Sequence, residues 1–302
     1  MRTALDHRAA LSSLAARSVP GVERVDVDAG TVSRLVELGA GPVHVTAHVA
    51  ATGVRVDADG PAAPAALDDL ATRWFGLADD LAPVHAALGG DPVLGPLVAA
   101  RPHLRVPGHP DGFEAAVQVV LTQQVSLGAG RTTGARLASA YGRPGPGGLL
   151  AYPRPEDLAA ADSVALQAVL RVPHARARAV HALAVACAGG LRLVPGAPAA
   201  DVRAALLAIP GIGPWTADVV ALRALGDRDA FPAGDLVLRR ALGVPDVRDV
   251  ATAGRAWSPW RAFAATHLWA AVGYPAAATA PPDGRAQRTR PGGPGIGPSA
   301  IR

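Results

Sequence analysis

One short stretch constrains this chain more than any other, a Gly/Pro segment between two apolar-periodic segments. Residues 210–214 read PGIGP; an apolar helical end comes before them, and a second helical pattern begins at Trp215. Two glycines around one aliphatic residue allow a tight hairpin, because glycine accepts positive φ and lets a partner approach its backbone. The sequence therefore predicts a helix-hairpin-helix.

Such a hairpin is suited to anion binding. Gly211 and Gly213 expose backbone N–H groups, and the helix that opens at Trp215 directs its positive dipole end to the same place. A DNA phosphate is a natural occupant of this position. Gly/Pro hairpins between helices are also common, so this motif alone leaves nucleic-acid binding open.

A carboxylate follows in the same stretch. Residues 231–235 read FPAGD, and the amphipathic segment 236–242 comes next. Asp235 is therefore predicted to open a new helix close to the hairpin, and its alternative role is that of an N-cap alone.

Composition narrows the class of protein. The 302 residues are enough for two domains, and 50% hydrophobic with 18% charged residues indicates a globular chain. No signal peptide or membrane-spanning run is expected, which favours the cytoplasm. The one cysteine, Cys187, excludes a disulfide framework and a four-cysteine iron–sulfur or zinc site. The net charge of +4 is compatible with nucleic-acid binding.

The chain also lacks lysine, so all 29 basic residues other than histidine are arginine. No side-chain amine is available to form a Schiff base with an abasic sugar. An amine-based strand-cleaving lyase is therefore not expected.

Residues 1–85 are predicted to form a small α/β domain. A helix is expected over 5–18, followed by antiparallel strand candidates and two helices, at 25–27, 31–36, 42–49, 53–57, 67–77 and 81–88. His44 and His48 lie on one face of a strand, as a metal pair or, with no third ligand nearby, as part of a solvent-facing surface.

Residues 86–274 read as helical, and no strand is expected from Asp91 onward. Asp111 and Ser126 are predicted helix caps, with Glu114 three residues after the first. Residues 143–153 are predicted to form a loop. Further helices are expected at 155–161, 163–170, 175–188, 200–209, 247–257 and 259–272. The tail 275–302 has little to bury and is predicted to be disordered, and its second PGIGP at 294–298 lacks flanking helices.

The hairpin followed by a Gly/Pro loop ending in Asp resembles the HhH-GPD superfamily of DNA base-excision glycosylases. Further segments are similar to the bacterial alkylation-repair family of 3-methyladenine DNA glycosylase II: residues 14–17, 20–23, 99–108, 113–117, 257–261 and 267–269. This resemblance implies an α+β protein, with a TATA-binding-protein-like N-terminal α/β domain with an antiparallel sheet, then an all-α glycosylase fold. The family's first strand is missing ahead of Leu5. Either the start is misplaced, the chain is a fragment of a fusion, or the sheet does without that edge.

The resemblance makes Asp235 the catalytic carboxylate. It places Trp215 where bifunctional relatives carry a Schiff-base lysine, which implies a monofunctional enzyme able to stack a flipped base, and Trp269 at a second active-site tryptophan. Alternatively, either tryptophan is simply a core residue. Three family aromatics are absent here, where Ser13, Val219 and Leu236 stand, so the substrate range is open.

The resemblance also assigns the DNA contacts. Gly211, Gly213 and Thr216 are expected to bind phosphate, and Gln124 to enter the minor groove, unless Gln124 is an ordinary surface residue. No cofactor or iron–sulfur cluster is expected. The main-chain carbonyls of the hairpin are expected to hold a structural Na⁺ or K⁺: Leu207, Ile209 and Ile212.

The sequence thus predicts a monomeric, monofunctional glycosylase of the bacterial cytoplasm and nucleoid, without contact to a membrane. It would bind double-stranded DNA through the minor groove, flip a 3-methyladenine-type base and hydrolyse its glycosidic bond to leave an abasic site. The alternatives are the same fold acting on a deaminated or oxidised base, and a non-catalytic helix-hairpin-helix DNA-binding protein.

Overall fold

A computed structural model describes residues 3–39 and 41–272. Its N-terminal part is a four-stranded antiparallel sheet in the order β1-β2-β3-β4, with one helix before it and one after. The elements are α1 His7–Arg17, β1 Glu23–Asp26, β2 Thr31–Leu38, β3 Gly41–Ala50, β4 Gly53–Ala58 and α2 Pro64–Phe75. The predicted antiparallel α/β arrangement is confirmed.

The sheet buries one face against α1 and α2. Three alternate residues of β3 point into this core: Val45, Ala47 and Val49. They pack in one cluster with Leu11 of α1 and Trp74 of α2. The opposite face is covered at Leu35, which packs against Leu149 and Ala151. The buried residues of β3 therefore alternate with the period of two that is typical of a strand.

The first described residues bond to a turn of the sheet. The N–H of Thr3 donates to the carbonyl of Thr52 at 3.1 Å, and that of Leu5 to the carbonyl of Ala51 at 3.1 Å. Among residues 3–39 and 41–272, the N-terminal sheet therefore has four strands, and the β3–β4 turn satisfies the backbone that precedes α1.

The rest of the described chain is mainly helical, as predicted. The helices are α3 Ala82–Leu88, α4 Leu94–Ala100, α5 Gly112–Leu121, α6 Leu127–Tyr141, α7 Pro155–Ala159, α8 Ser163–Leu170, α9 His174–Ala188, α10 Ala199–Leu207, α11 Pro214–Val220, α12 Leu236–Leu242, α13 Val247–Gly254 and α14 Arg261–Val272. The prediction missed α4. Residues Ala221–Leu225 continue α11 as a π-helical turn. None of the described helices is long and apolar enough to cross a membrane.

The prediction that strands end before Asp91 was wrong in one place. Within the predicted loop, β5 (Arg143–Pro144) pairs with β6 (Leu150–Ala151) in a two-stranded hairpin. The Leu150 N–H donates to the carbonyl of Gly21 at 2.8 Å, so a contact with the N-terminal part holds this hairpin. A contact between residues so far apart in sequence does not affect the local hydrophobic pattern, so the sequence did not predict this hairpin. The predicted disorder of residues 275–302 concerns a part of the chain outside the described residues.

A buried ion cluster joins the sheet to the helical part. Arg34, on the core face of β2 and 2% exposed, pairs with Glu23 of β1 at 3.1 Å and with Glu114 of α5. Asp111 caps α5 as predicted, accepting the Glu114 N–H at 2.8 Å. The Glu114 side chain turns inward instead of returning to the cap, and it also accepts from Gln118 at 2.8 Å. Burial raises the pKa of Glu114 to about 7, although the Arg34 charge opposes this shift.

Replacing Arg34 should destabilise the fold strongly. The variant Arg34→Met leaves Glu23 and Glu114 buried without their cation, and we expect the free energy of unfolding to fall by about 3–5 kcal/mol in urea titrations. As a control, Arg55→Met breaks the exposed pair with Asp57 and should change it by less than about 1 kcal/mol. Equal effects of the two substitutions would contradict the role of the buried cluster.

Stability should also depend on pH through Glu114. Its folded-state pKa of about 7 lies above its ordinary value of 4.5, so folding favours the protonated form. This contribution to stability is complete below pH 4.5 and is lost as the pH rises through 7. Relative to Glu114→Gln, which does not titrate, the wild type should lose on the order of 3 kcal/mol across this range. Unfolding measured for both proteins at each pH tests this, and a constant difference would refute it.

Candidate active site

Asp235 lies at the N-terminus of α12, as predicted. Its Oδ1 accepts the backbone N–H of Val237 at 2.8 Å and of Leu238 at 3.1 Å. Its own N–H donates to the carbonyl of Pro232 at 2.8 Å, so the turn before the helix fixes the residue from both sides. The capping interaction holds this carboxylate in one orientation.

Two tryptophans from different helices reach the same carboxylate. The indole N–H of Trp215 donates to Oδ2 of Asp235 at 3.0 Å, and that of Trp269 donates to Oδ1 at 3.2 Å. Trp215 is the second residue of α11 and half-buried, whereas Trp269 of α14 is 9% exposed and packs in the helical core. Four N–H groups therefore converge on Asp235. The core and active-site interpretations of Trp269 are both compatible with this position.

A cation lies beside one of these indoles. The guanidinium carbon of Arg223 is 5.6 Å from the ring centroid of Trp269, within the range of a cation–π interaction. Arg223 belongs to the π-helical turn Ala221–Leu225, and such turns are frequent at functional sites. The sequence analysis did not single out this residue.

The hairpin presents free backbone donors at the start of α11. Gly211 adopts a φ of +93°, and a Cβ there would approach the Ala179 Cβ of α9 to 3.0 Å, so glycine is needed for close packing. Within the described part of the chain, the N–H groups of Gly213, Trp215 and Thr216 donate to no backbone carbonyl. These donors at a helix start can receive an anion.

Gln123, which the sequence analysis missed, ties the loop between α5 and α6 to the hairpin. Its side-chain amide donates to the carbonyl of Gly211 at 3.0 Å and to the hydroxyl of Thr216 at 2.8 Å. The backbone carbonyl of Gln123 accepts a hydrogen bond from the Arg176 guanidinium of α9 at 2.6 Å. The Thr216 hydroxyl already accepts from Gln123, whereas its backbone N–H donates to no described backbone carbonyl and is the group left for an anion. Nothing in the sequence distinguishes Gln123 from the Gln124 beside it.

Gln124 is exposed at the tip of this loop and has a φ of +55°. A left-handed conformation is uncommon for a residue other than glycine and is found where surrounding contacts impose it. The neighbouring Gln123 is bonded to the hairpin, so Gln124 is presented next to the hairpin.

At three positions this chain lacks an aromatic residue that the family resemblance implies, and these positions lie in different parts of the structure. Val219 is buried one turn after Trp215 on α11, and Leu236, 45% exposed, follows Asp235 directly. Ser13 is buried on α1, where its hydroxyl accepts from Arg17 at 2.6 Å and lines a small cavity with Phe75 and Thr266. The first two therefore lie on the elements that carry the Asp235 site.

The histidine pair on β3 is engaged with aspartates. His44 contacts Asp59 at 2.6 Å, and His48 contacts Asp57 at 3.2 Å. In residues 3–39 and 41–272, no group of three His, Cys, Asp or Glu side chains could hold a metal ion.

Comparisons with known proteins agree with this geometry. Residues 1–111 match the model of the AlkA N-terminal domain, and residues 117–244 match the HhH-GPD superfamily of base excision DNA repair proteins. DNA-3-methyladenine glycosylase 2 of Escherichia coli K12 is 34% identical over 276 residues, which cover 87% of this chain and 93% of that protein. The chain belongs to this glycosylase family.

Other family members differ in length. A probable bifunctional transcriptional activator/DNA repair enzyme AlkA of Mycobacterium tuberculosis is 44% identical over 212 residues, 67% of this chain. The match spans only 42% of that relative. The fold is also similar to that of a 3-methyladenine DNA-glycosylase from Archaeoglobus fulgidus, with a TM-score of 0.77 at 19% identity over 89% of this chain and 96% of the other.

The bond between Gln123 and Thr216 should be measurable as a coupling energy. Gln123→Met leaves the buried Thr216 hydroxyl without its donor and should destabilise the protein by about 1–3 kcal/mol. The double variant Gln123→Met/Thr216→Val should lose less stability than the sum of the losses of the two single variants. We expect this difference to be roughly 0.5–1.5 kcal/mol in urea unfolding. The neighbouring Gln124→Met is the control and should change stability by less than about 0.5 kcal/mol. Strict additivity of the two substitutions would argue against this bond.

Proposed function

We propose that this chain is a monofunctional DNA glycosylase that removes alkylated bases from duplex DNA by hydrolysis and leaves an abasic site. The observation that carries the proposal is the Asp235 carboxylate, held by four N–H groups beside a hairpin suited to phosphate. The family membership supports it, since the Escherichia coli relative is named DNA-3-methyladenine glycosylase 2.

The chemistry follows from a fixed anion. As the bond between the sugar C1′ and the base nitrogen breaks, its electrons leave with the base and positive charge develops on the sugar. Asp235 stabilises this charge and orients a water, which adds to C1′ and gives up a proton. An N-alkylated purine already carries a positive charge, so it departs as a neutral base and needs no general acid. One carboxylate is then sufficient.

The absence of lysine supports a reaction without strand cleavage. No side-chain amine exists anywhere in the 302 residues to attack the sugar, and Trp215 occupies the start of the hairpin helix. The covalent imine on which amine-based lyases depend cannot form with any side chain of this protein.

The hairpin and the neighbouring loop would dock the duplex. The free N–H groups of Gly211, Gly213 and Thr216 would receive a backbone phosphate, and the exposed Gln124 would enter the minor groove and fill the gap left by the flipped nucleotide. One chain supplies the hairpin, the carboxylate and both indoles, which supports a monomer acting on chromosomal DNA.

The hairpin carbonyls fit a monovalent cation. Among the described residues, the carbonyls of Leu207 and Ile212 accept no hydrogen bond, and that of Ile209 accepts only the Ile212 N–H at 3.0 Å. Unpaired carbonyl oxygens suit Na⁺ or K⁺, and these three would hold it. A cation bound there would add positive charge where the phosphate docks.

A second candidate is the same reaction on another lesion. Leu236, next to Asp235, is an exposed aliphatic residue, and Val219 supplies no ring on α11. A base-binding site with few aromatic side chains stacks electron-deficient bases less strongly. A deaminated or oxidised base would then compete with an alkylated one as the preferred substrate.

Base release from methylated duplex DNA tests the proposal. Asp235→Asn keeps an oxygen to cap α12 but loses the anion, so release should fall roughly 100-fold or more while binding to an abasic-site duplex persists. The control Asp246→Asn changes the equivalent cap of α13 and should release bases at the wild-type rate.

The same assay on duplexes that contain a deaminated or an oxidised base distinguishes the two candidate substrates. Faster release of one of these than of methylated purines would move the proposal to the second candidate. Binding by the wild type without release from any duplex would leave the non-catalytic DNA-binding alternative, and wild-type rates in Asp235→Asn would remove Asp235 from the chemistry.

A further inference from the structure

A groove of about 430 Å³ lies beside the hairpin, on the side of α8 and α9. Polar groups of these two helices line it together with the hairpin itself: Ser163, Arg178, His181, Pro210 and Gly211. The groove is therefore continuous with the backbone that carries the anion-binding N–H groups. None of the functional assignments made above uses its side chains.

The charges around this groove are positive and unbalanced. Arg178, the arginine that lines the groove, is exposed and forms no ion pair with any described residue. Arg176, two residues earlier on α9, donates to the Gln123 carbonyl instead of to a carboxylate. The nearest acidic side chain in sequence, Asp162, is turned onto the start of α8, where it accepts the N–H groups of Val164 and Ala165.

Packing fixes this arrangement relative to the hairpin. Ala175, Arg178 and Ala182 follow one another at intervals of three and four residues, so they share one face of α9. On the adjoining face, Ala179 closely approaches Gly211, at a distance that leaves no space for a side chain on the hairpin. Because α9 packs directly on the hairpin, the backbone that carries Arg178 is held in a fixed position relative to the hairpin N–H groups.

We propose that this groove is a second phosphate-binding site, occupied by the backbone of the same duplex that the hairpin binds. Arg178 pairs with a phosphate, and His181 and Ser163 contribute hydrogen bonds, so the DNA footprint extends from the hairpin along α9. The proposal rests on the DNA binding proposed above. Charge complementarity and the continuity with the hairpin select nucleic-acid backbone as the occupant.

A phosphate contact has a specific signature in salt dependence. Each neutralised phosphate contributes about 0.9 to the slope of log affinity against log salt concentration. Removing the contact should therefore lower this slope by about 1 and weaken binding roughly three- to tenfold. The turnover of bound DNA should not change, because the groove does not reach the Asp235 carboxylate through any described hydrogen bond.

The experiment measures binding of an abasic-site duplex over a salt series for the wild type, Arg178→Gln and Arg192→Gln. Arg192 is the matched control, since it is exposed, forms no ion pair among the described residues and lies past the opposite end of α9. We expect a reduced slope and weaker binding for Arg178→Gln alone, with single-turnover base release at saturating enzyme equal to that of the wild type. Thermal unfolding of each variant checks that the fold is intact.

Three results would overturn the inference. If Arg178→Gln and Arg192→Gln keep the wild-type slope while the wild type binds and releases bases, the groove holds no phosphate and the proposed function stands. If both substitutions lower the slope equally, the effect is one of net charge and not of this groove. If the wild type neither binds the duplex nor releases a base, the proposed function fails and the inference fails with it.

Discussion

The convergence of four N–H groups on the Asp235 carboxylate is the interaction on which the site depends. Two of them are backbone donors of α12, and the other two are the indoles of Trp215 and Trp269, from α11 and α14. The helices α11, α12 and α14, which are separate in sequence, thus meet at one carboxylate. A carboxylate fixed in this way needs no reorganisation when charge develops beside it, which is the property required of an electrostatic catalyst.

The short helix α11 connects the free N–H groups of the hairpin to this carboxylate. Its first turn exposes the free N–H groups of the hairpin, and Trp215 in the same turn bonds to Asp235. Gln123 fastens the hairpin to the loop that carries Gln124, and Arg176 holds Gln123 from the other side. The proposed phosphate-binding donors, the exposed loop tip and the carboxylate are consequently fixed relative to one another by a chain of hydrogen bonds.

The N-terminal sheet is held to the helical part by buried charge rather than by apolar packing alone. Arg34 interrupts the apolar core face of β2 and pairs across the boundary with Glu114, while Glu23 supplies a second carboxylate. Breaking such a cluster is far more destabilising than never having formed it, because one partner is left buried without compensation. This requirement fixes how the sheet sits on α5.

The sequence by itself determined most of the elements and the place of Asp235 at a helix start. Periodicity placed the four strands and most helices, the PGIGP segment gave the hairpin, and the amphipathic run after Asp235 gave the start of α12, whereas the catalytic role of Asp235 is what the family resemblance implies. These features depend on neighbours within a few residues. Only the tertiary structure decided the contacts of Gln123, Arg34 and Glu114, and the pairing of β5 with β6. Each of these acts through a partner distant in the chain, and a polar side chain does not reveal in sequence whether it meets solvent, a buried charge or another backbone.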